Sequence, residues 1–171
     1  LENFDLPKMA RDLDQANASI KRLLGVAPAT FAYPCGQKFV GRGLAARSYI
    51  PLVAERYLAG RGYLDEAPND PKLFDPAQSM GIGADDLSAA EVLALVERAA
   101  KRGGWLILAG HEIGKKGYQI TDVAALEALF RHAKDPANGV WLDTVESVVR
   151  YVTKSRAQAG VRTRDASAVR P

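Results

Sequence analysis

Two short stretches of this chain hold residues able to do chemistry. "WLILAGHEIG", residues 105–114, carries an apolar run directly into His111 and Glu112. A histidine titrates near neutrality and can act as an acid or a base. "TFAYPCGQKF", residues 30–39, begins as a β-type run and breaks on Tyr33-Pro34-Cys35-Gly36. The N–H groups of such a Pro-x-Gly turn are free to point at a developing oxyanion. Cys35 is the single cysteine. It opens a second chemistry, a thiol nucleophile with His111 as its base, which would make a Cys/His hydrolase. Against both readings, a free cysteine ordinarily behaves as a small buried hydrophobe, and a histidine beside a loop ordinarily faces solvent. Lys115 stands where a His-Glu-x-x-His metal site would need its second histidine.

The elements that must position these residues alternate in type. Residues 7–24 place Met9, Leu13, Ala16, Ile20, Leu23 and Leu24 at steps of three and four, one apolar helix face with Gly25 as its stop. Thr30–Tyr33 is a short strand, "SYIPLVAERYLAG" a helix starting near Pro51, and "GRGYL" another short strand. Residues 64–87 read as a long loop rich in Asp, Pro and Gly, with a brief strand near Met80–Ile82. Ser88 and Glu91 form a capping box for a helix whose Val92, Leu95, Val96 and Ala99 share a face. "WLILA" shows no alternation, as expected of a parallel strand covered on both sides.

Thr121–His132 reads as a helix with Val123, Leu126, Leu129 and Phe130 inward, and "GVWL" as the next strand. Asp143 and Glu146 form a second capping box, ahead of a helix lined by Val145, Val148, Val149 and Val152. Strands alternating with helices predict an α/β fold with a parallel sheet. Functional groups in such folds gather where strands end, which puts the Pro-Cys-Gly turn and His111 on one face. A closed (β/α) barrel takes about 250 residues. The four or five strands readable here are too few to close one, leaving an open doubly wound sheet or part of a barrel.

Composition narrows the partners. A chain of 171 residues, 47% hydrophobic and 25% charged, is one ordinary globular domain. No apolar run approaches the roughly 18 residues of a transmembrane segment. The net charge of +3 is local: residues 154–171 carry five basic residues and one acid, leaving 18 basic and 19 acidic residues before them. A nearly neutral body gives no phosphate-binding footprint, so no nucleic-acid partner is expected. Residues 154–171, basic and poor in large apolar side chains, predict a disordered tail after a body of residues 1–153. One cysteine excludes an internal disulfide. Localisation stays open, and so does oligomeric state.

Taken in order, "GVAPATFAYPCG", "GGWLILAGHEIG" and "GVWLDTVESVVRYV" resemble the C-terminal half of the polysaccharide deacetylase family, carbohydrate esterase family four, over roughly residues 8–153. The resemblance implies an incomplete (β/α) barrel of the distorted TIM-like kind, and removal of acetyl groups, mainly N-acetyl, from a carbohydrate or polysaccharide. It also implies a divalent metal, zinc by preference, that activates water. By position, the backbone N–H of Cys35 would bind the oxyanion and His111 would protonate the departing amine. Tyr33, Pro34 and Gly36 would bind the acetylated substrate. The family's Asp-Asp and His-x-x-x-His metal motifs have no counterpart from Leu1 onward, since the Asp85-Asp86 pair falls in a loop. The metal ligands are therefore expected upstream of Leu1, none in this chain, and the chain is expected to be a fragment, inactive alone. A glycan substrate favours a secreted or cell-envelope location. The competing expectations are a non-catalytic carbohydrate-binding or structural α/β module, and the Cys/His hydrolase.

Overall fold

A computed structural model of the chain describes residues 1–115 and 117–167. The first helix, α1 (Leu6–Leu24), starts where the Asp5 carboxylate accepts the Lys8 N–H, and stops at Gly25 in the left-handed region, φ 75°. Only Met9 and Leu13 of its apolar face are buried; Ala16, Ile20, Leu23 and Leu24 are exposed. The periodicity was therefore right about the helix and only half right about what covers it.

The strands are short. They are β1 (Thr30–Ala32), β2 (Phe39–Val40), β3 (Arg47–Ser48), β4 (Ala59–Arg61), β5 (Ile82–Gly83), β6 (Leu108–Ala109), β7 (Glu112–Gly114) and β8 (Ile120–Asp122). The helices between and after them are α2 (Ile50–Arg56), α3 (Ala89–Lys101), α4 (Val123–Lys134) and α5 (Val145–Ser167). β1 pairs with β4, β5 with β6 and β7 with β8, all in parallel, while β2 and β3 form an antiparallel pair. Residues 79–84 link the first two parallel pairs. Gly62 donates to the Ser79 carbonyl at 2.7 Å on one side, and Ala84 to the Ala109 carbonyl at 2.8 Å on the other. Four neighbouring segments thus run the same way, in the order β1, β4, β5, β6. The architecture is mixed α/β, with five α-helices and no closed barrel among the described residues.

Three apolar clusters hold this sheet. Met9 and Leu13 of α1 pack with Tyr33, Val40, Tyr49 and Val53 on one side. Burial pushes both tyrosine pKa values up, that of Tyr49 to about 12, so both hydroxyls stay neutral donors. Trp105 and Ile107 face Val148, Val149 and Val152 of α5, while Leu106 and Leu108 face Val92 and Val96 of α3 and Ala125 and Leu129 of α4. The "WLILA" run is thus covered on both faces, as its unbroken apolarity predicts. Burial of each such Val or Leu stabilises the domain by about 1.5–3 kcal/mol. The Ser88–Glu91 capping box forms at the start of α3.

Four local readings are corrected. "GVWL" is not a strand: it follows the 3-10 turn Pro136–Asn138 with Gly139 left-handed at φ 61°, and Trp141 and Leu142 are exposed. Thr121 belongs to β8, and α4 starts after Asp122, whose carboxylate accepts the Ala124 and Ala125 N–H groups. Phe130, expected inward on α4, is exposed. No Asp143–Glu146 capping box closes. Thr144 Oγ1 takes the Ser147 N–H at 3.2 Å instead, and Glu146 holds Arg150.

The expected tail begins inside α5, and its first part is tied to the body. Arg156 donates to the carbonyls of Pro71 and Phe74 at 2.6 and 3.0 Å, with its guanidinium over the Phe74 ring. Residues 168–171 of that expected tail lie outside the described residues. No helix of the described residues is long and apolar enough to cross a membrane.

Candidate active site

The C-terminal ends of β1, β4, β5 and β6 lead into Tyr33, Gly62, Ala84 and Gly110, and the residues just beyond them form the candidate site. Beyond β6, His111 is 44% exposed at its side chain. Beyond β5, Asp85 is only 7% exposed and lies with its Oδ2 2.6 Å from His111 Nδ1. Its other oxygen accepts the His111 backbone N–H at 3.1 Å and the Thr121 hydroxyl at 2.8 Å. Beyond β4, the Tyr63 hydroxyl stands 3.4 Å from Oδ2, and the Tyr63 ring meets the His111 ring edge-on at 5.3 Å.

Sequence reasoning set Asp85 aside as a loop residue. The structure makes it the partner that orients His111. Gly110 is required by the same arrangement, because a Cβ there would fall 2.0 Å from Thr121 Oγ1 and 2.9 Å from Asp85 Oδ1.

Electrostatics assign the proton. Burial raises the Asp85 pKa, but hydrogen bonds from the His111 ring, the Thr121 hydroxyl and the His111 N–H outweigh it and hold the carboxyl below its ordinary 3.8. An ionised carboxylate only accepts hydrogen bonds, so His111 Nδ1 carries the N–H and Nε2 is the atom left to exchange a proton. For Tyr63, burial and then the Asp85 charge push the hydroxyl pKa up, so it remains a donor.

A folded-state pKa below the unfolded one stabilises the protein above the unfolded value, and that contribution disappears as pH falls through the folded value. Wild type should therefore lose stability more steeply below pH 3.8 than Asp85→Asn, measured by denaturant titration across that range. Parallel acid slopes would refute the assignment.

The turn beyond β1 is a single 3-10 turn, Pro34–Gly36, with Cys35 in the left-handed region at φ 51°, ψ 25°. Non-glycine residues rarely adopt that conformation, and such outliers cluster at functional sites. The Gly36 and Gln37 N–H groups close the turn onto the carbonyls of Tyr33 and Pro34. The Cys35 N–H has no acceptor among the described residues.

Gly36 sits against Tyr63: a Cβ at Gly36 would meet the Tyr63 carbonyl oxygen at 3.0 Å. Tyr63 therefore bridges the turn and the Asp85–His111 pair. Pro34 and Cys35 are exposed, Gly36 is half-buried, and Tyr33 is not available to a substrate. Its side chain is 1% exposed, with the hydroxyl donating to the Ala77 carbonyl at 2.7 Å. No hydrogen bond joins the exposed Cys35 thiol to His111 among the described residues, so nothing there couples the thiol to a base.

No group of three or more His, Cys, Asp or Glu side chains that could hold a metal ion occurs among the described residues. Asp85 and His111 are bonded to each other. The described side chains therefore offer no ligand set for a divalent metal. The apolar groove of about 370 Å³ under Trp141, between α3 and α4, excludes His111 and the turn. Compared with protein-family models, curated proteins and solved structures, the chain matches none of them.

Proposed function

We propose that this chain supplies the acid/base and oxyanion-binding side of a hydrolase that removes acetyl groups from a carbohydrate. The observation that carries this reading is the Asp85–His111 pair at 2.6 Å, one Tyr63 side chain away from a turn whose Cys35 N–H is unengaged. The order of the "AYPCG", "AGHEIG" and "WLDTVESV" segments, shared in type with the polysaccharide deacetylases, names the substrate class. An open run of parallel strands is also what an incomplete (β/α) barrel would present. By that resemblance a divalent metal would supply the activated water, and the described side chains offer no ligand set that would hold it.

The roles of this chain's own residues follow from the geometry. Asp85 fixes the His111 tautomer and ring plane. The Cys35 N–H stabilises the oxyanion formed on the acetyl carbonyl. As that tetrahedral species collapses, Nε2 of protonated His111 passes its proton to the departing sugar nitrogen, and acetate leaves.

The protein should release acetate from N-acetylated oligosaccharides. His111→Gln should cut turnover about 10²–10⁴-fold, the usual contribution of a positioned acid or base. Turnover unchanged by that substitution would refute the role of His111. Binding of the oligosaccharide without any acetate release would favour the non-catalytic module instead.

A further inference from the structure

Immediately past the Pro34–Gly36 turn, the chain builds a second cleft. About 370 Å³ in volume, it is lined by Glu2, Gly36, Gln37, Lys38, Phe39 and Gly41. That size is at the small end of the range for ligand sites. Its apolar wall is Phe39, 58% exposed on a strand whose other residue, Val40, is buried in the core. An exposed aromatic ring on a rigid strand suits stacking against the apolar face of a sugar.

The cleft is also electropositive. Glu2 is the only acid in the lining, and the Arg42 guanidinium already neutralises it. Arg47, on the paired strand, turns its guanidinium to the carbonyls of Leu44 and Ala46. Lys38 has no acidic partner among the described residues, and its ammonium is held 5.8 Å from the centre of the buried Tyr33 ring. One cation without an acidic partner among the described residues therefore stands beside the turn.

We infer that this cleft is a sugar subsite selecting a carboxylate-bearing unit next to the acetylated one, with Phe39 as its stacking platform and Lys38 as the carboxylate partner. This rests on the proposed deacetylase reading and specifies its substrate as an acidic, N-acetylated glycan. Gly36 is shared by both places: it lines the cleft and forms the turn that carries Cys35, so adjacent units of one chain reach both.

The test uses the full chain and a matched pair of ligands. One is a tetrasaccharide alternating N-acetylglucosamine and glucuronate; the other is the same molecule with its carboxyls reduced to alcohols. Amide NMR titration should show the acidic ligand moving the Gly36, Lys38 and Gly41 signals and binding about fivefold tighter than the reduced one, the scale of one exposed ion pair. Lys38→Gln should erase that preference, and Phe39→Ala should weaken both ligands roughly three- to tenfold.

Both side chains lie outside the core clusters, and circular dichroism checks that each variant folds. Equal affinity for the two ligands, or shifts confined to the surroundings of His111, would overturn the subsite while leaving the deacetylase reading intact. Acetate release from neutral oligosaccharides with no shift at Gly36, Lys38 or Gly41 would do the same. Absence of shifts anywhere, together with absence of acetate release, would overturn both.

Discussion

Asp85→Ala should lower kcat by about 10²-fold or more with KM nearly unchanged, because the substitution disarms His111 without touching substrate. Asp85 is the only group among the described residues that holds Nδ1, at 2.6 Å, and it also fixes the His111 backbone through the N–H at 3.1 Å. Without it the ring is free to rotate, and either nitrogen can carry the proton. A residue that acts through another should leave a distinctive trace. Here it is a split between kcat and KM, since substrate still binds while the tautomer that leaves Nε2 free for proton transfer no longer follows from the hydrogen bond to Asp85. Thr121→Val, which removes one donor to Asp85 and leaves the pair intact, should shift kcat much less. A kcat for Asp85→Ala within about threefold of wild type would show that His111 is positioned by something else, and would remove the main support for an acid/base site.

Why Asp85 escaped the sequence reading is a matter of what strand ends look like. His111 was legible because an apolar run stops abruptly at a titratable side chain. The same rule applies to Asp85, which follows β5, yet β5 spans only Ile82–Gly83 inside a long polar loop. A two-residue strand has no periodicity to recognise. Its identity comes from pairing with β6, 26 residues away, and no local pattern encodes that. Thr121 was missed for a related reason: a β-branched residue before a helix reads as helix start, whereas here it is the middle residue of β8 and donates to Asp85. Gly110 held the available clue. A glycine directly before the histidine marks a place where another group approaches closely.

Helices were easier. Their caps and apolar spacing are local, so α1, α2, α3 and the buried valines of α5 stand where the pattern puts them. "GVWL" shows the limit in the other direction. Its composition suits a strand, but among the described residues no neighbour pairs with it, and composition alone does not make a ladder.

Tyr33→Ala should destabilise the domain by about 3–5 kcal/mol, the cost of deleting a large buried aromatic side chain. The ring packs among Met9, Leu13, Val40, Tyr49 and Val53 and meets Phe31 edge-on at 5.3 Å. Tyr33→Phe keeps that packing but leaves the Ala77 carbonyl without its 2.7 Å partner, which should cost about 1–3 kcal/mol. Denaturant unfolding measures both, and a Tyr33→Ala variant within 1 kcal/mol of wild type would contradict the buried placement. The pair of variants also separates two roles that the sequence could not. If Tyr33 contacted the substrate, Tyr33→Phe would reduce kcat/KM by more than its loss of stability explains. With the hydroxyl committed to Ala77, the expected outcome is a less stable protein with unchanged turnover per folded molecule. The "AYPCG" segment then acts through its backbone: Tyr33 anchors it in the core, and what it presents to the site is the strained peptide of Cys35.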